Sequence, residues 1–301
     1  MNHQVPITAL IVNYNAGELL VDCALALSTQ VGQIIVVDNA STDTSIVRLK
    51  DAFFGNGQLN IISLQKNVGF AAGCNLGLSA AIFPYILFIN PDCLISSDAV
   101  ERLRQVIESD RRTGMVGGRL LNADGSEQGG SRRAIPTPWR AFVRATGLYR
   151  FARFFPALLF DFHLHHQPLP DQPIEVEAIS GALMLVRRQA IDAVGNWDEG
   201  YFLHCEDLDW CMRFRQKNWK ILFAPDVPVL HHQGACSHAR PFFVAWHKHR
   251  GMLRFYRKFF LHRYPVGLTW LVAIGVTMRF GVIVLYHAGV GLLKSTGQHR
   301  G

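Results

Sequence analysis

Three observations on this 301-residue chain predict an α/β fold with a mostly parallel central sheet flanked by helices. Uninterrupted apolar runs of strand length, such as Ala9-Leu10-Ile11-Val12 and Ile86-Leu87-Phe88-Ile89, read as strands buried on both faces. They alternate with segments of helical length, the pattern that builds a doubly wound sheet. Several runs stop at an acid or amide, and in open α/β sheets ligands occupy the crevice beyond the strand C-termini.

In order, residues 8–12 form a first strand ending in Asn13-Tyr14-Asn15. A helix over about 17–27 follows, with Leu19, Leu20, Cys23, Ala24 and Leu27 on one face. Residues 33–37 make a second strand, again stopped by polar residues, Asp38-Asn39-Ala40-Ser41. A third strand at 60–64 leads through Asn67-Val68-Gly69-Phe70 into a small-residue helix containing Asn75 and reaching about Ile82. The fourth, 85–89, ends in Asn90-Pro91-Asp92, where Pro91 stops the ladder. Asp92 at such an end suits a hard divalent cation; it equally suits a helix cap. Residues 98–110 supply another helix. No GxGxxG follows the first strand, which argues against a dinucleotide-dependent dehydrogenase.

Residues 114–121 form a further strand and 122–125 a turn. From 126 to 173 the pattern dissolves into Gly, Pro, Arg and aromatics, the profile of a long, mobile, substrate-facing flap. Its His163, His165 and His166 have no accompanying carboxylate or Cys pattern, so an exposed loop is expected there and not a metal site. An apolar strand returns at 182–186. Glu206-Asp207-Leu208-Asp209 opens a helix to about Lys217, a position where acids also complement the helix dipole. Two last strands, 219–223 and 227–230, precede His231-His232.

The chain is 49% hydrophobic and 18% charged, enough to bury a full core. Six cysteines without CxxC spacing are expected to be reduced core thiols, and the N-terminus lacks the basic and apolar regions of a signal peptide, so a cytoplasmic protein is expected. Net charge is +7, distributed unevenly. Residues 227–301 hold ten Lys or Arg and no acid, leaving twenty bases against twenty-three acids in 1–226. Such a tail points to an anionic partner, and its aliphatic content favours a membrane surface over nucleic acid.

The ordered set Asn13-Tyr14-Asn15, Asp38-Asn39-Ala40-Ser41, Asn67-x-Gly69-Phe70 with Asn75, Asn90-Pro91-Asp92, Glu206-Asp207 and His231-His232 with Gly234 and Ser237 resembles family 2 glycosyltransferases of the GT-A fold, most of all their rhamnosyltransferase-like branch. The resemblance spans about residues 5–240. It implies that Asp38 contacts the base of a nucleoside-diphosphate sugar, with Tyr14 lining that pocket. Asn13, Asn15, Asn39, Ser41, Asn67, Gly69, Asn75 and Asn90 would complete the donor site. Asn90-Pro91-Asp92 stands where the family carries a DxD motif, with Asn replacing the first acid, so Asp92 and His231 (or His232) would hold Mg²⁺ or Mn²⁺. Asp207 matches the catalytic base, with Glu206 beside it. The implied reaction is inverting transfer of a sugar, best matched by rhamnose from dTDP-rhamnose, to a hydroxyl of a glycan or lipid-linked acceptor for cell-surface polysaccharide.

These residue types suit that chemistry, since a diphosphate leaving group needs a cation and the acceptor hydroxyl needs a base. The implied organisation is a catalytic domain over 1–240, with a nucleotide-sugar half (1–125), the flap (126–173) and an acceptor half (174–240), followed by basic and hydrophobic helices over 241–301. Within that tail, 246–264 interleaves bases with aromatics, as an interfacial anchor does, although a helix packed on the catalytic domain would share the pattern. Residues 265–293 are apolar but interrupted by Arg279, short of a clean ~20-residue span. The protein is thus expected on the inner face of the plasma membrane, peripheral or monotopic. Other readings left open are another UDP- or dTDP-hexose donor, a sugar nucleotidyltransferase and a non-catalytic nucleotide-sugar-binding protein.

Overall fold

The apolar runs do become the centre of a sheet. In the computed structural model, which describes the backbone of residues 5–232 and 241–298 and most side chains up to Tyr286, β1 (Val5–Asn13), β2 (Val31–Asp38), β3 (Leu59–Ser63) and β4 (Tyr85–Ile89) pair in parallel in the order β3-β2-β1-β4. All five residues of β4 are buried, as a strand covered on both faces requires. Gly234 and Ser237 lie outside the described residues.

Helices α1 (Glu18–Ser28), α2 (Ser45–Ala52) and α3 (Phe70–Ser79) connect these strands. The small residues of α3 have a packing cause: a Cβ on Gly73 would sit 2.9 Å from Val12, and one on Gly77 would sit 2.8 Å from Leu10. Close approach of α3 to β1 therefore demands glycine. Helix α2 escapes the periodicity argument because it is only 8 residues long with two buried positions, Ser45 and Leu49.

Beyond β4 the sheet turns mixed. A short β5 (Cys93–Ile95) and α4 (Ala99–Glu108) lead to β6 (Thr113–Leu121). β10 (Leu183–Arg187) inserts antiparallel between β4 and β6, and β11 (Lys220–His231) runs parallel to β6 and antiparallel to β5. The two strands expected at 219–223 and 227–230 are one strand. The β6–β11 register shifts between Ala224 and Pro228, absorbing two prolines without ending the pairing.

Residues 126–173 are more ordered than their composition predicts. β7 (Arg132–Arg133) pairs with β9 (Ala178–Ile179), β8 (Ile174–Glu175) pairs with β11, and α5 (Pro138–Ala145) is capped by the Thr137 hydroxyl and begins at a proline. Buried Arg132 anchors the segment through Glu127 (2.9 and 3.1 Å) and the Gln167 and Pro168 carbonyls. This is a built wall, held by polar contacts that no apolar periodicity announces. His163 and His165 are half-buried and not an exposed loop, and His163 bridges to Arg133 through backbone.

After α6 (Arg188–Val194), helix α7 (Glu206–Gln216) carries the acid motif. Trp210, fully buried, packs edge-on against Phe88 of β4 at 5.3 Å and stacks on Trp197 at 4.1 Å, while its indole N–H donates to the Gly195 carbonyl. Such pairs add ~0.5–1.5 kcal/mol each beyond area burial. The cluster fixes the acid-bearing helix to the strand that ends at Asn90.

Helix α8 (Pro241–Phe260) divides the properties expected of the tail. Phe255, Tyr256, Phe259 and Phe260 are buried in the core. Arg254 pairs with Asp198 at 2.8 Å, and Lys258 reaches Asp198 and the buried Asp209 at 2.6 Å. Much of the basic-aromatic pattern therefore docks α8 onto the catalytic sheet. Helix α9 (Val266–Gln298) runs unbroken through Arg279, which remains a charge within its apolar stretch. Its stretch Gly267–Tyr286 has mean hydropathy 2.0, long and apolar enough to cross a membrane.

Candidate active site

The polar strand ends converge on one edge of the sheet. Asn13, buried at the end of β1, donates to Asp38 (3.2 Å), Ser41 (3.0 Å) and Ser45 (3.0 Å). The Asn15 side-chain oxygen Oδ1 accepts from the Thr42 and Asp43 backbone N–H groups, and the Asn15 backbone N–H donates to Ser41 Oγ. Asn13 and Asn15 thus shape the loop that carries Asp38, which is itself buried. Tyr14 is half-buried between them.

Asn39 clamps the next loop: its side chain accepts from Val68 N–H (2.8 Å) and donates to the Gly69 carbonyl (3.1 Å). Asn67 accepts from Gly69 N–H (2.9 Å). Gly69 has φ of 90°, and a Cβ there would lie 2.6 Å from the Phe202 carbonyl oxygen, so both conformation and space require glycine. Asn75 stands apart. Its amide is consumed as a bracket on Trp197 and Glu199, the loop before α7.

At the end of β4, the Asn90 N–H donates to the Ala182 carbonyl (3.0 Å), and the half-buried Asn90 side chain has no hydrogen-bond partner among the described residues. Asp92 is buried, and its Oδ1 has no hydrogen-bond partner although His231 Nε2 lies 3.3 Å away. Gln128 explains this. Its amide nitrogen donates to the His231 carbonyl (2.7 Å) and the Leu121 carbonyl (3.3 Å), which fixes the amide orientation because a carbonyl only accepts. The Gln128 oxygen therefore faces His231 Nδ1 at 2.8 Å as acceptor, so Nδ1 carries the proton. In the neutral ring the Nε2 lone pair then points at the orphaned carboxylate oxygen, a contact that a shared cation relieves.

Asp92, Cys93 and His231 offer ligand atoms within 4.8 Å of one another. Burial, reinforced by the Asp92 charge, pushes the Cys93 thiol well above its ordinary range, and it donates to the Ala182 carbonyl. The remaining oxygen and imidazole donors fit a hard cation such as Mg²⁺ or Mn²⁺. His232 donates its backbone N–H to the Asp92 carbonyl.

The acid pair sits one segment away. Ala182 O accepts from Asn90, while Gly181 N–H donates to Asp207 Oδ2 (3.3 Å), so residues 181–182 join the two motifs. Asp207 is ion-paired with Arg133 from β7, and Arg133 also donates to the Ile179 carbonyl (3.0 Å). Burial pushes the Asp207 carboxyl upward, but the Arg133 charge and hydrogen bonds outweigh it and hold the pKa below the usual range. Glu206 is buried with an unpartnered Oε2, and burial, then the Asp207 charge, push its pKa up to about 8. The two neighbours are thus pushed apart, Arg133 favouring the ionised Asp207 and burial favouring the protonated Glu206. His204 and Cys205, at φ of 68° and 70°, make the strained left-handed entry to α7.

Sequence reasoning missed Gln128 and Arg133. Arg132-Arg133 was visible as a basic pair, whereas nothing in a Gly-rich stretch marks Gln128.

A mixed sheet with polar strand ends, a carboxylate-imidazole pair and an adjacent acid pair defines the GT-A class of glycosyltransferases. The chain belongs to glycosyl transferase family 2, whose model matches residues 8–193. It is 25% identical over 248 residues to an N-acetylglucosaminyl-diphospho-decaprenol L-rhamnosyltransferase of Mycobacterium tuberculosis, covering 77% of each chain. It is also 25% identical over 231 residues to the low-salt glycan biosynthesis hexosyltransferase Agl10 of Haloferax volcanii, covering 75% of this chain and 67% of that one.

Among solved structures, the mannosyltransferase PcManGT of Pyrobaculum calidifontis, in complex with GDP-Man and Mn²⁺, matches with TM-score 0.55 at 14% identity over 96% of this chain and 81% of its own. GalNAc-T7 with UDP, GalNAc and Mn²⁺ matches with TM-score 0.56 at 15% identity, over 77% of this chain and 44% of its own. The protein is a glycosyltransferase.

Proposed function

We propose that this glycosyltransferase moves L-rhamnose from dTDP-rhamnose, with inversion, to a hydroxyl of a lipid-linked glycan at the cytoplasmic face of the membrane, in cell-surface polysaccharide synthesis. The observation that carries the reading is the orphaned Asp92 Oδ1 facing the lone-pair nitrogen of His231, one segment from Asp207. The mycobacterial relative supports the sugar and the lipid-linked acceptor.

In this reading residues 1–125 bind the donor, 126–173 wall the site, 174–240 hold the acceptor and base, and 241–301 associate with the membrane. Asp38 contacts the base, Tyr14 lines its pocket, and Asn13, Asn15, Asn39, Ser41, Asn67 and Gly69 hold the loops around it. Asn75 acts through the 197–199 loop, and Asn90 faces the donor. Asp92 and His231 are the ligands for Mg²⁺ or Mn²⁺, which when bound offsets the charge of the departing diphosphate. Asp207, ionised, takes the acceptor proton. Glu206, neutral, avoids adding a second negative charge beside it.

The test is a panel of dTDP-, UDP- and GDP-sugars with purified protein and Mn²⁺, scored by thermal shift and donor hydrolysis. dTDP-rhamnose is expected to give the largest of both. A stronger response to a UDP-hexose would replace the donor, and a flat panel would contradict catalysis by this site.

A further inference from the structure

Residues 138–160 contain four arginines and no acid. They fold as α5 and a 3-10 turn (Leu148–Phe151), and the outer surface is unusually apolar. Phe142, Phe151, Phe154, Phe155 and Leu158 are each between 50% and 61% exposed. Burying such a side chain is favourable, so five left in water on one short segment signal a partner.

The arginines sort into two kinds. Arg140 and Arg144 are paired, with Glu177 and Asp161. Arg150 and Arg153 have no acidic partner among the described residues, and Arg153 lies over the Phe154 ring at 4.4 Å. Exposed aromatics beside unpaired arginines fit the headgroup region of an anionic bilayer.

Position identifies the occupant. A cavity of about 590 Å³ is walled by Trp139, Arg140 and Leu158 of this segment and by Phe260, Arg263 and Tyr264, the corner where α8 passes into α9. From that corner α9 exposes Trp270, Leu271, Ile274 and Met278. The two apolar surfaces therefore meet at one junction.

We propose that residues 138–160 are a second membrane-contacting element, seated in the headgroups of an anionic bilayer beside α9. This rests on the membrane association proposed above and extends it from a tail to a two-point mount that includes a wall of the catalytic domain.

Amide exchange on the full chain, in nanodiscs of phosphatidylcholine with or without phosphatidylglycerol, tests it. Exchange over 148–159 is expected to slow on the anionic discs, with α1 unchanged as a check on folding. Phe154→Ser/Phe155→Ser should lose this protection while α9 stays protected. Arg150→Gln/Arg153→Gln should lose the increment due to phosphatidylglycerol, on the order of 5-fold per arginine. Protected α9 with 148–159 exchanging freely would overturn the proposal and leave the association of α9 standing; no protection of either would overturn both. Protection that instead grows with protein concentration without lipid would assign the surface to a second copy, and overturn the proposal.

Discussion

Asp92 and Asp207 are both carboxylates at the same crevice, yet the fold treats them oppositely. Asp207 has a permanent counter-ion in Arg133 and a backbone donor in Gly181. Asp92 keeps one oxygen without a partner, opposite a nitrogen that Gln128 forces to be a lone pair in the neutral ring. In the proposed role of base, Asp207 must be ionised before substrate arrives, which fits a charge stabilised from within. In the proposed role of metal ligand, Asp92 would gain its stabilisation from the cation, which accounts for an oxygen that the protein leaves without a partner.

The largest expected break in this comparison is Asp207→Asn, which should lower turnover about 10²–10⁴-fold while nucleotide binding survives; steady-state transfer and calorimetry together read the two. Next is Arg133→Met, expected to cost about 3–5 kcal/mol of stability by leaving Asp207 an unpaired buried charge. Denaturant unfolding would detect it, and adding Asp207→Asn should restore part of the loss. If the double variant were no better than the single, the ion pair would not be the source.

Gln128→Leu should weaken Mn²⁺ binding by about 10–100-fold, the usual cost of freeing a ligating imidazole from its orienting partner. Paramagnetic resonance of free Mn²⁺ measures this without turnover, and unchanged affinity would remove Gln128 from the site. The last prediction concerns Glu206. Its pKa is raised on folding to about 8, so its contribution is fully present below the unfolded carboxyl range and is lost as pH rises towards 8. Glu206→Gln should therefore flatten the decline in stability over that interval, as read by thermal unfolding across pH.

How far the site is legible in sequence follows from the same contrast. Asp38, Asp92 and His231 each end an apolar strand, and a buried run that stops at a polar residue is a local signal. Glu206-Asp207 is equally local, at the start of an amphipathic helix. Gln128 and Arg133 owe their roles to long-range pairing, of β7 with β9 and of the 128 region with β6 and β11, which no local period encodes. For the same reason 126–173 reads as a flap although Arg132, Ser131 and Gln128 are buried in it. In α8, the pattern that reads as an interfacial anchor equally describes a helix packed on the domain: Arg254 and Lys258 meet Asp198 and the buried Asp209, while Phe242, Phe243 and Trp246 stay exposed.

In the proposed function Asp92 with His231 holds the cation and Asp207 does not. Calorimetry of dTDP and UDP binding with and without Mn²⁺, on Asp92→Ala and Asp207→Asn side by side, addresses it directly. The Mn²⁺-dependent part of binding should vanish in Asp92→Ala and persist in Asp207→Asn. Persistence in Asp92→Ala, or loss in Asp207→Asn with its fold intact, would contradict the account.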